Sequence, residues 1–301
     1  MTKVLVLGAG GMLGGMVTRV LRESAELDVT ATGRTAERAP DGTSPHRRFD
    51  VLRDSLEPLL DDARCEWIVN AVGVIKPRIH EPDRASIENA ILVNAVFPHR
   101  LAAAAAERGQ RIIQIATDGV FSGPRGPYDE ATPHDPLDVY GKTKSLGEVA
   151  DSHVYNLRCS IIGPESSPPR SLLGWALSAP ANAELRGYTG QRWNGVTTMH
   201  FARLCGAIIA GAQTPTAQHV VPADSVSKAE LLELALAAFG RSDVTVRPEP
   251  GPEPTDRTLS TRDPSANERL WRAAGYDHPP TIREMLEELA AYEARQTSRA
   301  R

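Results

Sequence analysis

Short apolar runs alternate along the first half of the chain with stretches in which apolar residues recur at helical spacing. Residues 4–7, Val-Leu-Val-Leu, form a continuous apolar run of the kind carried by a strand buried on both faces. In residues 12–21, Leu13, Met16, Val17, Val20 and Leu21 fall on one helix face. The same reading predicts strands over 29–32, in a segment ending at Asp50, and over 67–72, 112–116 and 154–159. It predicts helices over 87–106 and 140–150. Strands alternating with helices imply an α/β fold: a doubly wound, Rossmann-type parallel sheet with helices on both faces.

After Gly163 the pattern changes. Residues 166–169 read as a turn-rich break, and 172–197 as short helix mixed with glycine-rich loop. Residues 201–209 look helical and are expected to return to the sheet. Residues 226–239 form an amphipathic helix with Ser227 as its N-cap. Residues 248–254, Pro-Glu-Pro-Gly-Pro-Glu-Pro, are expected to be an exposed loop. A last helix is expected over 282–292 and a frayed tail over 296–301. The implied division is a dinucleotide-binding domain over 1–163, with 198–213 packing back on it. A smaller substrate-binding lobe takes 164–197 and 214–295.

Composition narrows the classes of function. The 301 residues are 41% hydrophobic and 24% charged, which is globular rather than disordered. A net charge of −4 and a pI of about 6.1 give no electrostatic case for nucleic acid or an anionic membrane. No apolar run approaches the ~20 residues of a membrane span, and the first residues do not read as a signal peptide. Cys65, Cys159 and Cys205 are odd in number and lack paired-ligand spacing, and the histidines form no metal pattern. A cytoplasmic protein without metal is the expectation.

Three motifs carry chemistry. Gly8-Ala9-Gly10-Gly11-Met12-Leu13-Gly14 follows a strand and opens a helix, where glycines let backbone N–H groups approach a pyrophosphate. Tyr140-Gly-Lys-Thr-Lys144 puts a phenol and an ammonium four residues apart on one helix face. There the positive charge is expected to lower the tyrosine pKa towards working pH. Thr117-Asp118-Gly119-Val120-Phe121 follows a strand at its carboxyl end, where open α/β sheets bind ligands. Beyond these, Lys76 follows the fourth strand within reach of a substrate phosphate or hydroxyl. Trp193, in Arg192-Trp193-Asn194-Gly195-Val196-Thr197, offers a stacking surface. Tyr128 has no lysine four residues on and reads as structural.

Taken in order, these stretches resemble the extended short-chain dehydrogenase/reductase superfamily. The resemblance is strongest to the branch of dTDP-4-dehydrorhamnose reductase and its sugar-nucleotide-binding relatives. It also rests on Val69-Asn70-Ala71, Val93-Asn94-Ala95, Gly126-Pro127-Tyr128-Asp129-Glu130, the extended run 139–148 and Leu157-Arg158-Cys159-Ser160. It is close over about the first 165 residues and loose beyond them.

The resemblance implies a catalytic group of Thr117, Tyr140 and Lys144. It implies a cofactor site of Gly8, Gly10, Gly11, Met12, Leu13, Gly14, Arg34, Asp50, Val51, Asn70, Ala71, Val72, Gly73, Asn94, Ala116, Cys159, Ile161 and Ile162, with Tyr140 and Lys144 contributing. Substrate would meet Lys76, Asp118, Gly119, Val120, Phe121, Trp193, Asn194 and Thr197. Gly119 departs from the tyrosine usual after the Thr-Asp pair, which leaves the sugar open.

The expected activity is NADPH-dependent reduction of a keto group on a nucleotide-activated deoxysugar. The alternatives are an epimerase or dehydratase that retains NAD, and a non-catalytic sugar-nucleotide-binding subunit. A homodimer is left open. The cofactor reading rests on the end of the second strand, where Arg34 follows Gly33 and no carboxylate occurs before Glu37. An arginine there suits the 2′-phosphate of NADP, with NAD as the alternative. Arg38 is a weaker second contact.

Overall fold

A computed structural model describes residues 1–35, 47–165 and 171–299. Its elements begin with β1 (Thr2–Leu7), α1 (Met12–Leu21), β2 (Leu27–Gly33), β3 (Arg47–Arg48), α2 (Leu56–Ala63) and β4 (Trp67–Asn70). They continue with α3 (Arg84–Ile91), α4 (Phe97–Ala106), β5 (Arg111–Ala116), α5 (Val139–Leu146), β6 (Val154–Arg158) and β7 (Ile161–Ile162). Next come α6 (Leu172–Leu177), β8 (Glu184–Tyr188), β9 (Gln191–Trp193), β10 (Val196–Thr197), α7 (Thr198–Ile209) and β11 (Ala217–His219). The last are β12 (Val226–Ser227), α8 (Lys228–Ala238), β13 (Thr245–Glu249), β14 (Thr255–Asp256), α9 (Pro264–Ala273) and α10 (Ile282–Arg299).

Seven strands form one parallel sheet in the order β11-β6-β5-β4-β1-β2-β3. Alternate residues of β1 explain why both faces are covered. Val4 and Val6 enter a core with α1, α7 and α10, whereas Leu5 and Leu7 enter a second core with α2 and α4. The fold is therefore the doubly wound α/β class that the strand–helix alternation predicts. Helix α7 packs on α1 and leads into β11, the edge strand beside β6. A third apolar cluster (Ala176, Leu185, Leu232, Leu236, Val244) joins α6, α8, β8 and β13.

Several expected boundaries move, each for a local reason. The helix expected over 87–106 starts at Arg84, where Asp83 accepts from the Ala85 N–H, and a π-helical turn over Leu92–Val96 interrupts it. The helix expected over 140–150 begins at Val139, capped by Asp138, and stops at Leu146. At the next residue, Gly147, a Cβ would lie 1.9 Å from the Asn94 carbonyl oxygen. The strand expected over 67–72 ends at Asn70, and the one expected to end at Asp50 is, among the described residues, Arg47–Arg48.

The proline-rich loop is in part β13, paired in parallel with β8 from Thr245 to Glu249. Pro248 is tolerated because this two-stranded sheet has only edges. The expected tail continues α10 to Arg299, and Gln296 donates to Glu23. Ser227 caps α8 as expected, completing a capping box with Glu230. The break expected at 166–169 lies outside the described residues.

Candidate active site

The glycine turn between β1 and α1 is shaped by two close approaches. Gly8 has φ +85°, a left-handed conformation that favours glycine, and a Cβ on Gly14 would lie 2.2 Å from the Gly8 carbonyl oxygen. The turn then delivers Gly11, Met12 and Leu13 to the rim of a cleft over the carboxyl ends of the strands. Helix α1 starts there without a side-chain cap and without an acidic residue in its first turn. Its free N–H groups and positive dipole end fit a phosphate.

The next strand end is held from below. Asn70 accepts from the Val72 N–H at 3.2 Å and donates to Gln114 at 2.8 Å. Asn94, presented by the π-helical turn, accepts from the Val74 N–H at 2.8 Å and donates to the Val74 carbonyl at 2.9 Å. Both asparagines are buried. They fix the backbone of Ala71, Val72, Gly73 and Val74, which line the cleft. Their role here is positioning rather than lining.

Thr117, Tyr140 and Lys144 all line the cleft. Thr117 directly follows β5, accepts from the Gly119 N–H at 3.1 Å and donates to Asp118 at 3.2 Å. Tyr140 approaches it from the first turn of α5, and the Thr117 hydroxyl acts to lower the phenol's pKa against the effect of burial. Gly141 permits this approach: a Cβ there would lie 2.3 Å from the Gly119 carbonyl oxygen. The helix start is fixed by Asp138, which accepts from the Gly141 N–H at 2.8 Å and pairs with Lys76 at 2.7 Å.

The charge balance differs from the sequence expectation. Burial pushes the Tyr140 phenol up to about 12, and the Asp118 and Asp138 carboxylates add to the rise. Lys144 does not offset this, because its ammonium donates to the Ile115 carbonyl at 2.7 Å. Burial lowers Lys144 to about 8, against the pull of Glu148. Burial also raises Asp118, opposed by the nearby Lys228 and Arg257 cations. At neutral pH the site holds a protonated phenol beside a charged lysine.

Ala116, Asp118, Gly119, Lys76, Cys159, Ile161 and Trp193 also line the cleft. Trp193 does not offer a free face. Its indole N–H donates to Ser160 at 2.8 Å, and the Lys228 ammonium sits 5.5 Å over its ring.

Several of the expected residues do not line the cleft. Val120 and Phe121 are fully buried, with Phe121 stacked 4.4 Å from Tyr128. Their apolar side chains close a small core with Tyr128 and Leu259. Asn194 is used up by the Leu259 backbone, donating to its carbonyl at 2.7 Å and accepting from its N–H at 2.9 Å. Thr197 caps α7 and bonds His200 at 2.7 Å. Ile162 is buried where β7 pairs with β10.

Asp50 accepts from the Leu52 N–H, Val51 packs on the second core, and Gly10 is exposed with open space around it. Arg34 is exposed at the end of β2. Glu37 and Arg38 lie outside the described residues. Among the described residues no group of potential metal ligands occurs, and no helix is long and apolar enough to cross a membrane.

Residues that sequence reasoning missed also line the cleft: Arg78, Glu165, Gln191, Lys228, Thr255 and Arg257. Lys228 directly follows the N-cap that was recognised. Nothing in its local pattern separates it from a solvated first-turn lysine.

The model of the RmlD substrate binding domain family matches residues 1–293. The chain is 34% identical over 148 residues to the dTDP-4-keto-6-deoxy-D-glucose reductase of Streptomyces niveus, covering 48% of this chain and 46% of that one. It is 32% identical over 155 residues to the methionine adenosyltransferase 2 subunit beta of Xenopus tropicalis, covering 50% and 43% respectively. The chain thus spans about half the length of the curated relatives it matches. The dTDP-4-dehydrorhamnose reductase of Bacillus anthracis str. Ames, solved in complex with NADP, superposes with a TM-score of 0.76 at 18% identity, covering 97% of this chain and 100% of that one. That likeness concerns the fold. With the match running over nearly the whole length, the chain belongs to the RmlD substrate binding domain family.

Proposed function

We propose that the protein is an NADPH-dependent reductase of a keto group on a nucleotide-activated deoxysugar. The observation that carries this reading is the convergence of Thr117, Tyr140 and Lys144 in one cleft whose rim is the uncapped start of α1. The Streptomyces relative and the Bacillus neighbour, both sugar-nucleotide reductases by name, support it.

The residues present fit a dinucleotide. Gly11, Met12 and Leu13 would hold the pyrophosphate, and the backbone of Ala71, Val72 and Gly73 would face the cofactor. Ala116, Cys159 and Ile161 would border the nicotinamide side. The bound cofactor supplies hydride to the carbonyl carbon. Tyr140 donates its proton to the carbonyl oxygen, and Thr117 hydrogen-bonds the same oxygen. A phenol held up at about 12 is fully protonated at working pH, which suits a donor. Lys144, charged below about 8, turns from the Ile115 carbonyl to hold the cofactor ribose and favour phenolate as the proton leaves. Arg34 takes the 2′-phosphate and sets the preference for NADPH.

The lobe division at residue 163 and a cytoplasmic setting belong to the same reading. A sugar-nucleotide-binding subunit without catalysis is the second reading, drawn from the relative named as a subunit. The complete Thr117, Tyr140 and Lys144 set weighs against it.

The test is a screen of nucleotide 4-keto-sugars with NADPH and with NADH, followed by loss of reduced-cofactor absorbance. Oxidation of NADPH by at least one of these sugars is expected. No oxidation of either cofactor and no conversion of any sugar across the screen would leave the binding-subunit reading.

A further inference from the structure

Lys144 is a cation in surroundings that disfavour one. Its side chain is buried, and the acceptor its ammonium meets, the Ile115 carbonyl, carries no charge. The charge that acts in its favour is Glu148, four residues along the chain. Helix α5 stops at Leu146, and at Gly147 the chain passes too close to the Asn94 carbonyl oxygen for a Cβ. This turn carries Glu148 inward, so that its side chain is only 13% exposed.

The same carboxylate is the anion of a second cluster. Strands β11 and β6 pair in parallel with His219 opposite Arg158. The buried Arg158 guanidinium grips Glu148 with two bonds, Nε to Oε1 at 3.1 Å and Nη2 to Oε2. It also reaches two imidazoles, with Nη1 on His219 Nε2 and Nη2 on His134 Nε2 at 2.9 Å. A guanidinium only donates, so both Nε2 atoms accept and each ring carries its proton on Nδ1. From there His134 donates to the Ser145 hydroxyl of α5 at 2.8 Å, and His219 donates to the Ser260 carbonyl at 2.7 Å. Both rings are therefore neutral, and burial together with the Arg158 cation holds both below the ordinary histidine range. The other charges facing them are Asp135, beside His134, and Glu130, which accepts from the His219 N–H at 3.0 Å. At the centre one guanidinium is balanced by one carboxylate, and that carboxylate is shared with Lys144.

We propose that Glu148 is a positioning residue that keeps Lys144 in its charged form, and that Arg158 sets how strongly it does so. This deepens the reductase reading and rests on it for the use of the Lys144 cation at the cofactor ribose and beside the phenol. The two partners act in opposite directions. Without the carboxylate, buried Lys144 loses its support. Without the guanidinium, the carboxylate acts on Lys144 in full.

Lys144 is one of five lysines in the chain, so its titration can be followed at the Cε resonance of carbon-13 lysine-labelled protein. The signal is identified by its loss in Lys144→Arg, and the measurement needs neither cofactor nor sugar. Glu148→Gln should move the Lys144 midpoint down from about 8 by roughly half a pH unit or more, a fraction of what an opposite charge exerts at close range. Arg158→Gln should move it up, and Arg158→Lys, which keeps the charge, should hold it near the wild-type value. His134→Ala loosens α5 at Ser145 without removing the carboxylate, and should leave the midpoint in place. An unchanged midpoint in Glu148→Gln would overturn the proposal. So would an equal fall in His134→Ala, which would trace the effect to helix placement rather than charge. A fall in Arg158→Gln would overturn the moderating role of Arg158; if that variant does not fold, Glu148→Gln and Arg158→Lys decide. Midpoints that move as expected in a protein that reduces no nucleotide 4-keto-sugar would uphold the Glu148–Lys144 link and overturn the reductase reading alone.

Discussion

One wall of the cleft stands on the seven-stranded sheet, and the other on strands of two or three residues each. The sheet wall is backed by two apolar cores, and the groups proposed to react sit at strand or helix ends fixed by close backbone approaches at Gly14 and Gly141. The second wall is held by side-chain clamps: Asn194 on the Leu259 backbone, the Trp193 indole on Ser160, and the Ser227–Glu230 capping box. Rigid backbone positions the groups that do chemistry, where a small displacement is costly. Side-chain clamps on short strands can be exchanged without rebuilding the sheet. Under the proposed function, turnover would depend on the first wall and choice of substrate on the second.

The largest effect that separates the walls is expected from Tyr140→Phe. The ring stays and the proton donor goes, so turnover should fall about 10²- to 10⁴-fold. The NADPH dissociation constant, measured by fluorescence titration, should hold. A variant that kept most of its turnover would detach the chemistry from the sheet wall.

Next in size is Arg34→Ala, at the end of β2 and away from the second wall. Loss of a charge-assisted contact worth about 1.5–3 kcal/mol should weaken NADPH roughly ten- to a hundredfold and leave NADH nearly unchanged. Equal losses for both cofactors would mean that Arg34 does not read the 2′-phosphate.

A smaller, graded effect concerns pH. Lys144 carries its charge below about 8 and loses it as pH rises through that value, while the Tyr140 phenol at about 12 keeps its proton. The kcat/KM for reduction should therefore be level below pH 8 and decline above it, with one inflection. Lys144→Arg, charged throughout, should remove that inflection from whatever activity remains. An unchanged inflection in Lys144→Arg would assign it to another group.

How much of this was readable from sequence follows the same two walls. The expected span of α1 coincides with the structure, and the Ser227 cap holds, because their signals lie within a few neighbouring residues. Gly8–Gly14, Thr117, Tyr140 and Lys144 are likewise contiguous motifs at element ends. The second wall draws on β9, β12 and β14, and only the fold joins them. Val120 and Phe121 stand beside reacting groups in sequence, yet their side chains turn into a core that includes Leu259, which no local pattern predicts. The rise in Tyr140 was missed for a similar reason. Helical spacing places Lys144 on the same face, but the Ile115 carbonyl that takes its ammonium belongs to a neighbouring strand.

The most direct test of the account is the ratio of NADPH oxidised to sugar converted, measured on one reaction with the best nucleotide 4-keto-sugar. A reductase in which Tyr140 supplies the proton and the cofactor the hydride consumes one NADPH for each sugar reduced. Sugar conversion with no net loss of NADPH would contradict the account and identify an epimerase or dehydratase that reoxidises its own cofactor.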